Sequence, residues 1–242
     1  MHRVSIGMLM IACLLITACD PFKEQREAAA ERKRIECMDK LCAGDVEPKR
    51  NPAMEVALKL NGQWYLGPSY YFSTGMNGAA FYWPSKKSRE DVPPEERSIP
   101  YANTIEIHLT GRSHWSHSDE SEPWRRDHLT ERLDQLRGQG YQLQRELLRP
   151  ELEVWRVRRS DGSPYMDFYV ANQQKRIRGG TPPALGCSED RGSSGRNTCA
   201  AGEYWQPDVY ADFRFSAAHA KDWPEIHAEI VRVLNLLIKV KP

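Results

Sequence analysis

"LEVWRVRRSDGSPYMDFYVA", residues 152–171, decides the fold class. Apolar and polar side chains alternate on both sides of Asp161-Gly162, the period of a strand that buries one face. Asp-Gly suits the tight turn that joins antiparallel neighbours, because both positions tolerate positive φ. The same signal recurs upstream. "MEVALKLNGQWYLGP", residues 54–68, holds two short apolar runs around Asn61-Gly62 and predicts another hairpin. "GAAFYWPS" (78–85) reads as a third strand of that region. "NTIEIHLT" (103–110) puts Ile105, Ile107 and Leu109 on one face, and "DVYADFRFS" (208–216) alternates again.

Two stretches change period from two to 3.6. In "WRRDHLTERLDQLRGQG" (124–140), Leu129, Leu133 and Leu136 fall at i, i+4 and i+7, and Gly138 and Gly140 stop the run. "WPEIHAEIVRVLNLLIKVK" (223–241) reads as a helix to the end of the chain. Pro224 stands in its first turn, and Ile226, Ile230, Val233, Leu234 and Leu237 form its buried face. The expected class is α+β: a mainly antiparallel sheet with two amphipathic helices packed on it. Trp124 and His128 repeat the W-x-x-x-H spacing of Trp223 and His227. That echo admits either two related halves or a chance likeness between two amphipathic helices. "PSKKSREDVPPEERSIP" (84–100) and the long "NQQKRIRGGTPPALGCSEDRGSSGRNTCAAGEYWQP" (172–207) read as loop.

The chain begins differently. His2-Arg3, an apolar run from Val4 to Ala18 and then Cys19 describe a secretory signal peptide. The run is shorter than the roughly 20 apolar residues that a membrane-crossing helix needs. Ile16-Thr17-Ala18-Cys19 resembles the bacterial lipobox, in which cleavage precedes the cysteine and its sulfur carries a lipid. Cys19 is therefore the expected lipidation site, and Cys13 is discarded with the signal. Asp20 resembles the signal that holds enteric lipoproteins at the inner membrane. The expected division is a signal peptide at 1–18, a lipidated charged tether at 19–52 and a single α+β binding domain at 53–242. The chain would sit on the periplasmic face of a bacterial membrane. Within the tether, "FKEQREAAAERKRIECMDKLC" (22–42) can form a helix but lacks an apolar stripe. "AGDVEPKRNP" (43–52) ends it with Gly44, Pro48 and Pro52.

Charge excludes one class of partner. The chain carries 34 basic and 33 acidic residues. Without Arg3, the one charged residue of the signal, these numbers are equal. A nucleic-acid binder shows a clustered cationic excess, which is missing here. The arginine-rich stretch 125–159 has acids interleaved and reads as a solvated face. Four cysteines remain after Cys13 and Cys19: Cys37, Cys42, Cys187 and Cys199. An oxidising compartment favours disulfides, and of the three possible pairings proximity in sequence favours Cys37–Cys42 and Cys187–Cys199. The second would close a Gly/Ser-rich loop.

The motifs of the common hydrolases, zinc peptidases, P-loop and dinucleotide-binding proteins do not occur. His114-x-x-His117 with Asp119, Glu120 and His108 offers zinc-type donors. It sits in a polar loop with no rigid element to hold it, and we read it as solvated. Glu95-Glu96 and Asp119-Glu120 are also loop pairs, which stay ionised. His128 and His227 read as packing residues of their helices. No catalytic residue, metal site or cofactor is expected. The aromatic segment "QWYLGPSYYFSTGMNGAAFYWPS" (63–85) is more informative, since two alternating strands can bury only half of its rings. Tyr70, Tyr71, Phe72 and Met76, with Trp115, are the expected partner-binding residues, Tyr and Trp being favoured anchors of protein interfaces.

The lipobox "ITAC", the charged tether, the two cysteine pairs and the missing catalytic motifs together resemble the periplasmic immunity lipoproteins that protect bacteria from type VI secretion effectors, particularly phospholipase-type toxins. The resemblance implies a membrane-anchored, non-enzymatic protein whose partner is a secreted toxin, neutralised by covering its active-site entrance. Of the family's residues, it carries over only Cys19. Two other readings stand beside it: an envelope module that binds cell-wall glycan or a secretion-system component, and an enzyme assembled around His114 and His117.

Overall fold

The computed structural model of the chain describes residues 22–93, 102–111, 126–171, 184–188 and 197–241. Among these, twelve strands form two sheets, every observed pairing antiparallel, with three α-helices. A three-stranded sheet runs in the order β1 (Glu55–Leu60), β2 (Gln63–Pro68), β12 (Ile238–Val240). The larger sheet runs β3 (Phe72–Ser73), β4 (Gly78–Tyr82), β5 (Thr104–Gly111), β11 (Val209–Ser216), β10 (Thr198–Gln206), β9 (Leu185–Ser188), β8 (Pro164–Ala171), β7 (Leu152–Arg158), β6 (Gln142–Arg149). The α+β class and the antiparallel sheet are as the alternation predicts. At the first hairpin Asn61 and Gly62 have φ of 48° and 72°, the left-handed pair that a two-residue turn needs.

The helices are α1 (Lys23–Glu36), α2 (Arg126–Gly138) and α3 (Trp223–Leu234). Leu129, Leu133 and Leu136 of α2 pack with Val157, Phe168 and Val170. Ile226, Ile230, Val233 and Leu234 of α3 share a core with Ile105, Ile107, Leu109, Phe213 and Phe215. Phe168 and Tyr169 are consecutive on β8 and belong to different clusters, so α2 and α3 lie on opposite faces of the large sheet. The three-stranded sheet shares the core of α3 through Leu58, Leu60 and Tyr65. The echo between the two helical stretches thus does not extend to their packing.

Two sequence expectations are corrected. The last helix ends at Leu234 rather than at the chain end, and Ile238–Val240 become a strand beside β2. Alternating Ile238, Lys239, Val240 and Lys241 have the period of a strand, and the free edge of β2 captures them. The long loop 172–207 contains β9 and the nine-residue β10. Within its "CAAG", Gly202 stands where the Tyr210 ring fills the space a Cβ would take. Gln142–Arg149, which the sequence left unassigned, is the edge strand β6.

Helix α1 buries no residue, as its composition dictates. The chain after it is held to the domain. Cys37 and Cys42 form a disulfide, and the Asp39 carboxylate between them accepts the Asn61 N–H at 2.6 Å and the Gly111 N–H in a shorter contact. Gly62 N–H donates to the Met38 carbonyl at 2.8 Å. Asp45 pairs with Lys59 at 2.7 Å. The described part of the expected tether is therefore an exposed helix followed by a clasp on the β1–β2 turn. Cys187 and Cys199, opposite each other on β9 and β10, form the second disulfide.

Candidate functional site

The chain crosses from one sheet to the other at Ser69–Tyr71, and the corner is rigid. Gly67 sits where a Cβ would meet Leu237 at 2.7 Å and Phe72 at 2.8 Å. The absence of a side chain there lets β2 pass close over the core. Tyr71 is fixed from three sides. Its hydroxyl donates to the Lys86 carbonyl at 3.2 Å and accepts from Arg232 at 2.9 Å, and the Arg232 guanidinium lies 5.4 Å from the ring centre. Arg232 is in turn paired with the buried Glu229. That hydrogen bond, more than the contact with Tyr71, holds the guanidinium above its ordinary pKa. Tyr70 packs on Tyr71, with ring centres 4.9 Å apart, and is 40% exposed.

Tyr70 forms one wall of a groove of about 450 Å³ on the outer face of the three-stranded sheet. The floor follows from the register. Glu55 lies opposite Pro68, and Leu66 opposite Ile238, so their side chains share a face. Val240 and Leu236 extend it along β12. The turn at 51–54, tied by N–H donation from Met54 and Glu55 to the Asn51 carbonyl, projects Met54 over the other side. Met54 is 63% and Ile238 66% exposed. Among the described residues, three of the large apolar side chains most open to solvent therefore surround one groove.

Of the expected partner-binding residues, Tyr70 lies in this groove and Tyr71 supports it from behind. Phe72 is 2% exposed and belongs to the core, so it is not available to a partner; it lies opposite Ala79 with its ring turned to the inner face. Met76 is half-buried in the turn before β4, whose Asn77 side chain donates to the Leu109 carbonyl at 2.9 Å. Trp115 lies outside the described residues, as do Cys13, Cys19, Asp20, Glu95, Glu96, His114, His117, Asp119, Glu120, Trp124 and the side chain of His128. The sequence reading missed Met54, Leu66, Ile238 and Val240. Alternation in "IKVK" was the available signal, overridden by the helical period immediately before it.

The remaining candidates have structural surroundings. Among the described residues no group of three or more His, Cys, Asp and Glu is placed to hold a metal ion. His108 stands 3.6 Å from Glu106 on the solvent-facing side of β5. His227 is buried and bonded to Glu203 at 2.5 Å, with Trp223 and Phe213 edge-on to its ring. In the arginine-rich stretch, Arg156 and Arg158 both bond Asp167, and Arg145 bonds Glu153. These arginines are compensated within the protein.

No helix among the described residues is long and apolar enough to cross a membrane. No family model and no curated protein matches the chain. The fold is similar to the solved structure of Smlt3025, an immunity protein of the Stenotrophomonas maltophilia type IV secretion system. The identity is 14%, the TM-score is 0.46, and the match covers 81% of this chain and 100% of that chain.

Proposed function

We propose that this chain is a lipid-anchored periplasmic immunity protein that binds a secreted toxin through the groove beside Tyr70 and blocks it sterically. One observation carries the reading: Met54, Tyr70 and Ile238, all exposed, converge on a single apolar groove beside a corner fixed by Arg232 and Tyr71. Contiguous exposed apolar surface is the mark of an interaction site. A preorganised aromatic at its edge reduces the ordering cost of binding. The lipobox-like stretch ending at Cys19 and the exposed helix α1 support a domain held off a membrane surface on a charged stalk. The toxin class to test first is the lipase-type effector of a type VI secretion system.

The test pairs the chain with a candidate lipase-type toxin, sought among the genes that neighbour its own. The toxin is directed to the periplasm of a sensitive cell, and survival is counted with and without the full chain. Wild type protects, and Met54→Asp and Tyr70→Ala weaken both protection and binding of the purified toxin. Cys19→Ala moves the protein from the membrane fraction to the soluble one. Failure of the wild type to bind that toxin or to protect the cell overturns the proposal.

A further inference from the structure

The outer edge of β12 is the end of the three-stranded sheet. Its pairing to β2 through Ile238, Lys239 and Val240 uses one side of the strand, and the other side carries backbone groups with no strand beside them among the described residues. Side chains on β12 alternate. Ile238 and Val240 face the groove. Lys239 and Lys241 fall at the intervening positions, are exposed, and form no ion pair among the described residues.

We propose that this edge takes an extended segment of a protein partner by strand addition, the segment carrying apolar side chains at alternate positions and carboxylates between them. The inference rests on the groove being the partner site and adds the partner's chemistry. A strand laid along β12 hydrogen-bonds to its free edge. By the period of two, its groove-side residues extend the floor of Leu66, Ile238 and Val240, and its intervening residues meet Lys239 and Lys241. Short edge strands and lysines are also how sheets refuse unwanted pairing. Here the groove-facing positions stay apolar and open, so the two ammonium groups select rather than block. A segment that is apolar or basic at the intervening positions leaves them unpaired or repelled; an acidic one pairs them.

Binding of synthetic heptapeptides to the full chain, read by fluorescence anisotropy, tests this. The probes alternate valine with glutamate, with lysine, or with glutamate plus N-methylated amides on one edge. The valine–glutamate peptide should bind about tenfold tighter than the valine–lysine peptide, the scale of two exposed ion pairs exchanged for two repulsions. The preference should reverse in the double variant Lys239→Glu/Lys241→Glu. N-methylation on the bonding edge should abolish binding, because it removes the donors of the added strand. Ile238→Asp should lose both peptides with an unchanged circular dichroism spectrum, since Ile238 is a surface residue. Equal affinity for both charge patterns, or full binding of the N-methylated probe, overturns the inference. So does binding to anionic lipid vesicles that competes with the peptide at equal charge, or a dimer that occupies the edge. If Lys239→Glu/Lys241→Glu protects cells from the toxin as the wild type does, the acidic partner strand fails and the immunity reading stands. If the peptide preferences hold and no protection is seen, the immunity reading fails alone.

Discussion

Asp39 does the most with one side chain. Its carboxylate accepts the amides of Asn61 on the β1–β2 turn and of Gly111 at the end of β5. Two elements far apart in sequence are thereby held to the disulfide loop. Asp39→Ala leaves both amides without that acceptor and should cost about 2 kcal/mol, measured as a lower urea midpoint at constant m value. Gly111→Ala should have a similar effect, because its Cβ would lie 2.3 Å from Asp39 Oδ1. Asp39→Ala removes the side-chain part of that clash while the Asn61 nitrogen stays 2.9 Å from the new Cβ, so the double variant should fall short of the sum without reaching either single variant. Asp45 gives a pH dependence. Its hydrogen bond with Lys59, and then the Cys42 N–H, hold its carboxyl below the ordinary 3.8. A pKa lowered in the folded state means stability that is present above 3.8 and lost as pH falls through the folded value. Thermal midpoints of wild type and Asp45→Asn should therefore differ near neutrality and converge in acid. Parallel curves down to the acid limit would count against the contact.

At the scale of elements, the junction between α3 and β12 is where sequence and structure part. The apolar spacing of "EIVRVLNLLI" continues a helix, and Leu237 does reach the core as that spacing predicts. It gets there from a turn, with Leu236 and Leu237 N–H groups closing onto Val233 and Leu234. Leu237 then seats against Gly67 of β2, which aligns Ile238 with Leu66. Gly67→Ala should overpack this contact and cost about 1–3 kcal/mol. Leu237→Ala should cost about 2–3 kcal/mol by leaving a space. Combined, they should be less destabilising than the sum, since the smaller residue 237 makes room for the new Cβ. Chemical denaturation of the four proteins checks the cycle, and strict additivity would show that the two residues do not meet. β10 makes the opposite point. "TCAAGEYW" carries weak strand propensity and is nonetheless the centre of the large sheet, because β11 and β9 offer it partners on both sides.

For the whole molecule, α3 and the three-stranded sheet lie on one face of the large sheet and α2 on the other, with one disulfide in the clasp before β1 and one between the adjacent strands β9 and β10. Removing the β9–β10 disulfide with Cys187→Ala/Cys199→Ala should lower stability by about 3 kcal/mol on the chain-entropy account of its loop, read as a drop in Tm that reducing agent reproduces in a Cys37→Ala/Cys42→Ala background. An unchanged Tm would show that strand pairing alone holds those ends. By itself the sequence determined what depends on neighbours along the chain. The hairpins at Asn61-Gly62 and Asp161-Gly162, the buried sides of β5 and β11, and the leucine stripe of α2 are all periodicities of a few residues. The cysteine count and the charge balance are equally local. The tertiary structure alone decided which face of the sheet each helix covers, where the last helix stops, and that Tyr70 is exposed while Phe72 is not. It also made the groove, whose residues come from 51–70 and from 236–240. A period of two tells which side chains go inside and which outside. It does not tell which strand will lie alongside, because that choice is made by packing between segments some 170 residues apart.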